Sequence, residues 1–291
     1  MGVGPVRALV TGAGGYLGGA VVPGLRAEGI DVRALVHRSR PAHLRGVACV
    51  EGDVVGGDGL EAACQGCDGV VHLVGALRAP SDAAFHAIHA VAAQRVAEAA
   101  RRAGARRFVL VSAAGVGPQG TAYQRSKWQG EQAVAAAGLD HTILRPCPVF
   151  GPGGPGTNLV RELGGMLRAP LMPVIGDGRY LLQPVASGDV ALGVARALQR
   201  PVAVGRTYPV GGPEALTYLE VLRRIAAAQG RPLRTVSLPV GWMRAAMPVL
   251  QRLPGFPLTV DQLRMLLAGS TADPSAFCAD LGIELQPFAG R

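Results

Sequence analysis

The chain has 291 residues, 49% hydrophobic and 17% charged, which is enough to bury a large core in one or two domains. No apolar run reaches the ~18 residues of a bilayer span, and the N-terminus runs straight into a strand pattern without a leader signature, so a cytoplasmic location is expected. The net charge is +9, but arginines are scattered rather than clustered and aromatics are only 4%, which argues against nucleic-acid binding.

The five cysteines are Cys49, Cys64, Cys67, Cys147 and Cys278. The lone Cys64-x-x-Cys67 pair has no second pair and no neighbouring histidine, short of the ~4 ligands of a zinc site, so no metal is expected. Of 29 basic residues only Lys127 is a lysine. A chain so biased towards arginine keeps lysine where a guanidinium would not serve, and a catalytic site is one such place.

In chain order, Val6, Ala8, Leu9 and Val10 form a strand-length apolar run that enters Thr11-Gly-Ala-Gly-Gly-Tyr-Leu-Gly18. Ala20, Val21, Val22, Leu25 and Ala27 follow at helical spacing. A strand that turns through glycines into a helix lets backbone approach a pyrophosphate, and the helix start offers unpaired N–H groups and a positive dipole end. Gly12, Gly14, Gly15, Tyr16, Leu17 and Gly18 are therefore candidate cofactor-binding residues. The spacing is T-G-x-x-G-x-x-G, through Gly12, Gly15 and Gly18; G-x-G-x-x-G fails at Leu17.

Asp31 to Val36 reads as the second strand and ends in His37-Arg38-Ser39-Arg40. NAD sites of this kind place a carboxylate there for the ribose 2′-hydroxyl. Arginines stand there instead, Arg38 first, and suit a 2′-phosphate. NADPH is the expected nucleotide, with NAD as the alternative. Val47 to Val50 is the third strand, followed by Gly52-Asp53-Val54 and a short helix over 60–64, which Asp53 is placed to cap.

Gly69 to Val74 is an apolar strand leading to Gly75-Ala76, with His72 packed inside it. Ser81 to Ala103 is a helix, capped by Ser81 or Asp82 and carrying His86 and His89 early. Phe108 to Ser112 is the next strand, whose C-terminal end faces the ligand crevice of an open α/β sheet. In Tyr123-x-x-x-Lys127 the i, i+4 spacing puts both side chains on one helix face. A tyrosine can give a proton to a carbonyl oxygen as hydride reaches the carbon, and an adjacent ammonium lowers the phenol from its usual ~10. His141 to Arg145 is a further strand, and Arg145-Pro-Cys-Pro-Val-Phe-Gly-Pro152 hands the chain on.

The alternation predicts an α/β fold, a doubly wound parallel sheet of the Rossmann type over 1–150, with a small α+β lid over 151–291 partly interleaved with that sheet. In the second region, 157–167 and 218–229 read as helices, the latter closed by Gly230, and 207–210 as a strand. Asp189 is expected to cap a helix running to Leu198. The stretches 239–253 and 258–267 are apolar and helical, interrupted by Pro248, Pro254 and Pro257. Four readings of them stand open: lid packing, a dimer surface, a quinone-like apolar pocket, or a shallow membrane contact.

The segments TGAGGYLG, VVHLVGA, FVLVSAAG, YQRSKWQGE, ILRPCPVFGPG, IGDGRYLLQPV, TYPVGGPEALTY and PLTVDQLRML together resemble the extended and atypical short-chain dehydrogenase/reductases. They look like the atypical branch that includes the nucleotide-binding accessory subunit of respiratory complex I and its bacterial homologues. The resemblance implies Tyr123 as the acid, Lys127 as the ribose holder that tunes it, and Ser112 as an assistant. It implies that Asp53 and Val54 lie beside the adenine, that backbone at Val74, Gly75 and Ala76 lines the ribose and nicotinamide, and that Pro146 borders the cofactor. Two departures stand out: Ala113 occupies the catalytic hydroxyl's place, and His89 stands where asparagine is common. Losing such a hydroxyl costs about 3 kcal/mol, roughly a hundredfold in rate. Two functions follow: an NADPH-dependent reductase of an apolar carbonyl or quinone-like substrate, or a non-catalytic nucleotide-holding accessory or assembly protein of a respiratory complex. Neither needs a transmembrane span, and peripheral membrane contact fits both.

Overall fold

The computed structural model describes residues 6–37, 40–156, 158–253, 256 and 258–291. The apolar runs form β1 (Arg7–Thr11), β2 (Asp31–Val36), β3 (Ala48–Glu51), β4 (Gly69–His72), β5 (Arg107–Val111) and β6 (Asp140–Pro146). Between them lie α1 (Gly18–Ala27), α2 (Leu60–Cys64), α3 (Asp82–His86), α4 (Ala92–Arg102) and α5 (Ala122–Ala136). A π-helical turn, Ala87–Val91, joins α3 to α4, and Ser81 is the residue that caps α3, accepting from Ala84 N–H.

Past Pro146 come β7 (Val149–Phe150), α6 (Leu159–Met166), β8 (Met172–Ile175), β9 (Leu181–Leu182), β10 (Val185–Ala186) and α7 (Ser187–Gln199). Then follow β11 (Arg206–Val210), β12 (Leu216–Thr217), α8 (Tyr218–Ala228), β13 (Thr235–Leu238), α9 (Val240–Leu250), α10 (Val260–Ala268) and α11 (Ser275–Leu281).

Seven strands make one parallel sheet in the order β11-β6-β5-β4-β1-β2-β3. Alternate residues of β1 face opposite cores. Ala8 and Val10 pack with Val21, Val22 and Leu25 of α1, Val194 of α7, and Phe277 and Leu281 of α11. Leu9 packs on the other side with Val96 of α4, Phe108 of β5 and Val134 of α5. Helices therefore cover both faces, and near-continuous apolar strands are what such burial requires. The winding reverses between β1 and β4, where Thr11 pairs with His72, and ligands of open α/β sheets bind at the carboxyl ends of that switch point.

Three two-stranded sheets, β7 with β10, β9 with β12 and β8 with β13, build the smaller α+β region. Phe150, Met172, Leu222, Ile225 and Phe288 form its main core, and Met243, Met247, Ile175 and Leu263 a second. The tail returns to the body of the molecule: Phe277, Leu281 and Ile283 enter the core under β1, and Phe288 sits edge-on to Phe150 at 4.9 Å.

Three local expectations are corrected. β4 ends at His72 rather than Val74, because the backbone at Leu73 and Val74 turns against Gly12. Asp53 does not cap α2, whose N-cap is Gly59; its Oδ1 accepts from Val55 N–H at 2.9 Å and closes its own turn. Asp189 does not cap α7, which starts two residues earlier at Ser187; its carboxylate accepts from Gln286 N–H of the tail at 2.9 Å. Asp189→Ala is therefore expected to lower stability by about 1–3 kcal/mol by orphaning that N–H, read as a lower urea midpoint with an unchanged slope.

Candidate active site

The glycines of the first turn are held by geometry that side chains would break. Gly12 has φ +73°, and a Cβ on it would lie 2.9 Å from Val74 N and 3.0 Å from the Leu73 carbonyl carbon. Gly15 N–H closes the turn on the Gly12 carbonyl at 3.0 Å. A Cβ on Gly18 would overlap the Ala13 backbone, so α1 starts hard against the loop. The first turn of α1 holds no acid, which leaves the positive end of its dipole uncompensated.

Gly14 faces the Pro41 ring, at 3.6 Å from where its Cβ would stand. His43 Nε2–H donates to the Ala13 carbonyl at 2.8 Å. Tyr16 ties this turn to the segment after β7. Its hydroxyl donates to the Gly151 carbonyl at 3.1 Å, and its own carbonyl accepts from Gly154 N–H at 2.9 Å. Leu17, at the N-cap of α1, receives Val21 N–H on its carbonyl. Arg38 lies outside the described residues. Arg40 makes a loose, exposed ion pair with Glu51 at 4.0 Å. The Asp53 carboxyl is held below its usual range, chiefly by the Val55 N–H. Val54 is half-buried against the α2–α4 core.

At the other end of the crevice, Thr121 and Gln124 cap α5 reciprocally, which fixes where the helix begins and hence where Tyr123 points. Tyr123 and Lys127 are both buried on one face of α5. Lys127 Nζ donates to the Val111 carbonyl at the end of β5 at 3.2 Å. It also lies 3.0 Å from where a Cβ on Gly75 would stand, a tight approach of the ammonium to that backbone. The expected lowering of the Tyr123 phenol by the ammonium is corrected: burial pushes the phenol up to about 12, and it pushes the Lys127 ammonium down to about 8, the latter partly opposed by Glu131. Glu131 is buried and holds Arg145 through two hydrogen bonds, at 3.0 and 2.5 Å.

His89 links these parts. Its Nε2 accepts from Ala76 N–H at 3.0 Å, so Nδ1 carries the proton and donates to Ser126 Oγ at 2.8 Å. Ser126 in turn donates to the Tyr123 carbonyl at 2.9 Å. The ring stacks on Phe85 at 5.7 Å and meets Tyr123 edge-on at 5.3 Å. Burial, with the Lys127 charge adding to it, pushes His89 down to about 3, so it is neutral. It joins the loop after β4 to the start of α5. The π-helical turn 87–91 is what brings it there, a use such turns often serve at sites.

Five buried side-chain polar atoms have no partner among the described residues: Arg107 Nε and Nη1, Tyr180 Oη, and two that concern the crevice, Ser112 Oγ, just past β5, and His72 Nε2, at the end of β4. His72 Nδ1 shares a 2.7 Å hydrogen bond with Thr11 Oγ1, and burial holds this ring neutral, down to about 3. Orphaned buried polar groups call for an explanation, and those of Ser112 and His72 lie along the carboxyl edge of the sheet, where a ligand belongs. A glycine cradle at an acid-free helix start, a buried ammonium and these two atoms fit a nicotinamide dinucleotide. Pro146 is buried at the end of β6, and its carbonyl accepts from Ala114 N–H at 2.9 Å. Ala113 is half-buried beside Ser112.

Sequence reasoning missed His43, the Thr11–His72 pair and the reach of α10. Asp261 Oδ2 accepts from Ala122 N–H at 3.3 Å, and Met265 Sδ accepts from the Thr121 hydroxyl at 3.7 Å. Arg78, after β4, donates to the Phe256 carbonyl at 3.4 Å. No local signal marks these contacts, because each joins segments far apart in the chain.

The pattern of the NAD dependent epimerase/dehydratase family matches residues 8–211. A ceramide reductase of Caulobacter vibrioides is 32% identical over 241 residues, spanning 79% of this chain and 73% of that protein. The mitochondrial NADH dehydrogenase (ubiquinone) 1 alpha subcomplex subunit 9 of Rattus norvegicus is 28% identical over 243 residues, spanning 80% of this chain and 64% of that subunit. The crystal structure of gox2253 shares the fold, with a TM-score of 0.78 at 22% identity over 97% of this chain and 94% of that one.

Proposed function

We propose that this chain, which belongs to the NAD dependent epimerase/dehydratase family and is an NAD(P)-dependent oxidoreductase of the short-chain dehydrogenase/reductase type, uses NADPH to reduce an apolar carbonyl or quinone-like substrate. The observation that carries this reading is the burial of Tyr123 and Lys127 on one face of α5, against the exposed backbone of Gly75. Residues 1–150 serve the nucleotide and 151–291 shape the substrate end. Arg38 is the residue assigned to the 2′-phosphate, and a cytoplasmic or membrane-peripheral location suits the substrate class.

NADPH, when bound, supplies the hydride. Tyr123 holds its proton at neutral pH and gives it to the substrate oxygen. Lys127 stabilises the phenolate left behind and donates to the ribose hydroxyls. Neutral His89 keeps the Gly75–Ala76 backbone and the start of α5 in register, and Ser112 Oγ is free to donate to the substrate oxygen.

Lys127 works only as an ammonium. With its proton held up to about pH 8, NADPH affinity and turnover are expected to be full below that value and to fall as pH rises through it. Lys127→Met is expected to flatten that profile at the low level, and a pH series of NADPH titrations reads it directly.

A second reading has its own support. Ala113 stands where the resemblance puts the catalytic hydroxyl, and one relative is a subunit of respiratory NADH dehydrogenase. In that reading the chain holds NADPH as a structural part of an assembly. Titrating purified protein with NADPH and NADH, checking for nucleotide carried through purification, and following NADPH oxidation with apolar ketones and quinones separates the two. Exchangeable NADPH and substrate-dependent oxidation support the reductase; retained, slowly exchanging nucleotide with no oxidation supports the accessory role.

A further inference from the structure

The helix α9 has apolar side chains on two faces. Met243 and Met247 on the inner face are buried against Ile175 and Leu263. On the outer face Trp242 and Val249 are 56% and 65% exposed, and Leu253, in the turn that follows the helix, is 53% exposed. The spacing of seven residues keeps Trp242 and Val249 on one face of the helix, with exposed Ala245 between them, and Leu253 follows in the turn just past the end of α9. Scattered single exposed apolar residues need no explanation, but a tryptophan and a valine on one helix face, with an exposed leucine just past its end, form a cluster that does.

The patch has a charged border. Arg244 and Arg252 are exposed and form no ion pair among the described residues. Residues 231–268 carry five arginines, at 231, 234, 244, 252 and 264, against a single acid, Asp261. A second copy of this chain seated on the patch would bring two such clusters face to face, so the charge argues against self-association. An anionic phosphate surface is complementary to it, and tryptophan is a residue of the membrane–water boundary.

The patch also leads to the site. Phe256 N–H donates to the Leu253 carbonyl, and the Phe256 carbonyl accepts from Arg78, just past the Gly75–Ala76 backbone. The next helix, α10, touches Thr121 and Ala122, the residues that immediately precede Tyr123. We propose that the outer face of α9 and the turn that follows it dock on an anionic lipid bilayer, Trp242, Val249 and Leu253 entering the headgroup–acyl boundary and Arg244 and Arg252 meeting lipid phosphates. Docked this way, the site opens beside the membrane, and its substrate is an apolar carbonyl or quinone drawn from the lipid phase. The docking stands on the surface alone; the delivery of substrate rests on the reductase reading.

The test is co-sedimentation of the full chain with phosphatidylcholine vesicles, with and without phosphatidylglycerol. Binding is expected only with the anionic lipid, and it should weaken as salt rises. Arg244→Glu/Arg252→Glu is expected to weaken it roughly 25-fold or more, at about fivefold per arginine near the surface. Val249→Asp is expected to weaken it about tenfold or more by removing an inserted group. Both variants change exposed residues and should leave turnover of a water-soluble carbonyl unchanged. Equal binding to both vesicle types, no binding, or equal binding by the variants overturns the proposal. So does a dimer in sedimentation velocity that Val249→Asp dissociates while vesicles are ignored, since a second copy would then own the patch. Vesicle binding without turnover of any substrate keeps the docking and removes the reductase reading; turnover without vesicle binding does the reverse.

Discussion

Tyr123→Phe is expected to cost about 10²- to 10⁴-fold in turnover, the usual worth of a positioned proton donor, while NADPH affinity stays within about twofold of the parent. The change removes one oxygen and nothing else. The phenyl ring keeps its edge contacts with Phe85 at 6.1 Å and His89 at 5.3 Å, so the start of α5 stays packed. The glycine turn, which holds the nucleotide in this reading, lies elsewhere, and Lys127, one turn along α5, keeps its bond to the Val111 carbonyl. NADPH oxidation and a nucleotide titration on the same preparation read both halves. Unchanged turnover would assign the proton to another donor, and a parallel loss of NADPH affinity would mean that the phenol holds the cofactor rather than the substrate.

Gly18→Val is the second large effect expected: loss of measurable NADPH binding, with folding stability lowered by about 1–3 kcal/mol or more. A Cβ at Gly18 would overlap the oxygen, carbon and Cα of Ala13, all backbone atoms that no rotamer change can move aside. Relief requires pulling the loop from α1, which dismantles the anion cradle. Gly14→Ala is the contrast within the same turn. Its Cβ would meet only the Pro41 ring, at 3.6 Å and 3.7 Å, which is ordinary contact, so stability should hold. A thermal melt and an NADPH titration on each variant separate a folding effect from a binding effect.

The parts of this architecture that could be read in advance are those set by neighbours in sequence. The strand runs, the glycine turn and the i, i+4 pair on α5 each follow from a few adjacent residues. Asp189 shows the limit. An aspartate near a helix start reads as a cap, but the helix begins earlier and the carboxylate is claimed by Gln286, nearly a hundred positions away. Asp53 is drawn off by its own turn in the same way, at shorter range. His89 could not be assigned from periodicity, because the π-helical turn rotates that stretch and its partners come from a loop and another helix. The pairing of β13 with β8 and the helix α11 carried no recognisable pattern, since both are short and depend on distant partners.

The returning tail bears on how the chain is made. Phe277, Leu281 and Ile283 complete a core that begins with Ala8 and Val10, and the edge strand β11 joins the sheet from well past its other members. On a ribosome, β1 to β6 emerge long before the residues that cover one face of their sheet. Until then that face, with Val10, Val21 and Val71, has only part of its cover. Contacts between opposite ends of a chain slow folding, because a large loop must close before they form. Such a nascent half offers apolar surface to chaperones and to other nascent chains, and it reaches the native state only after residues 277–283 have emerged.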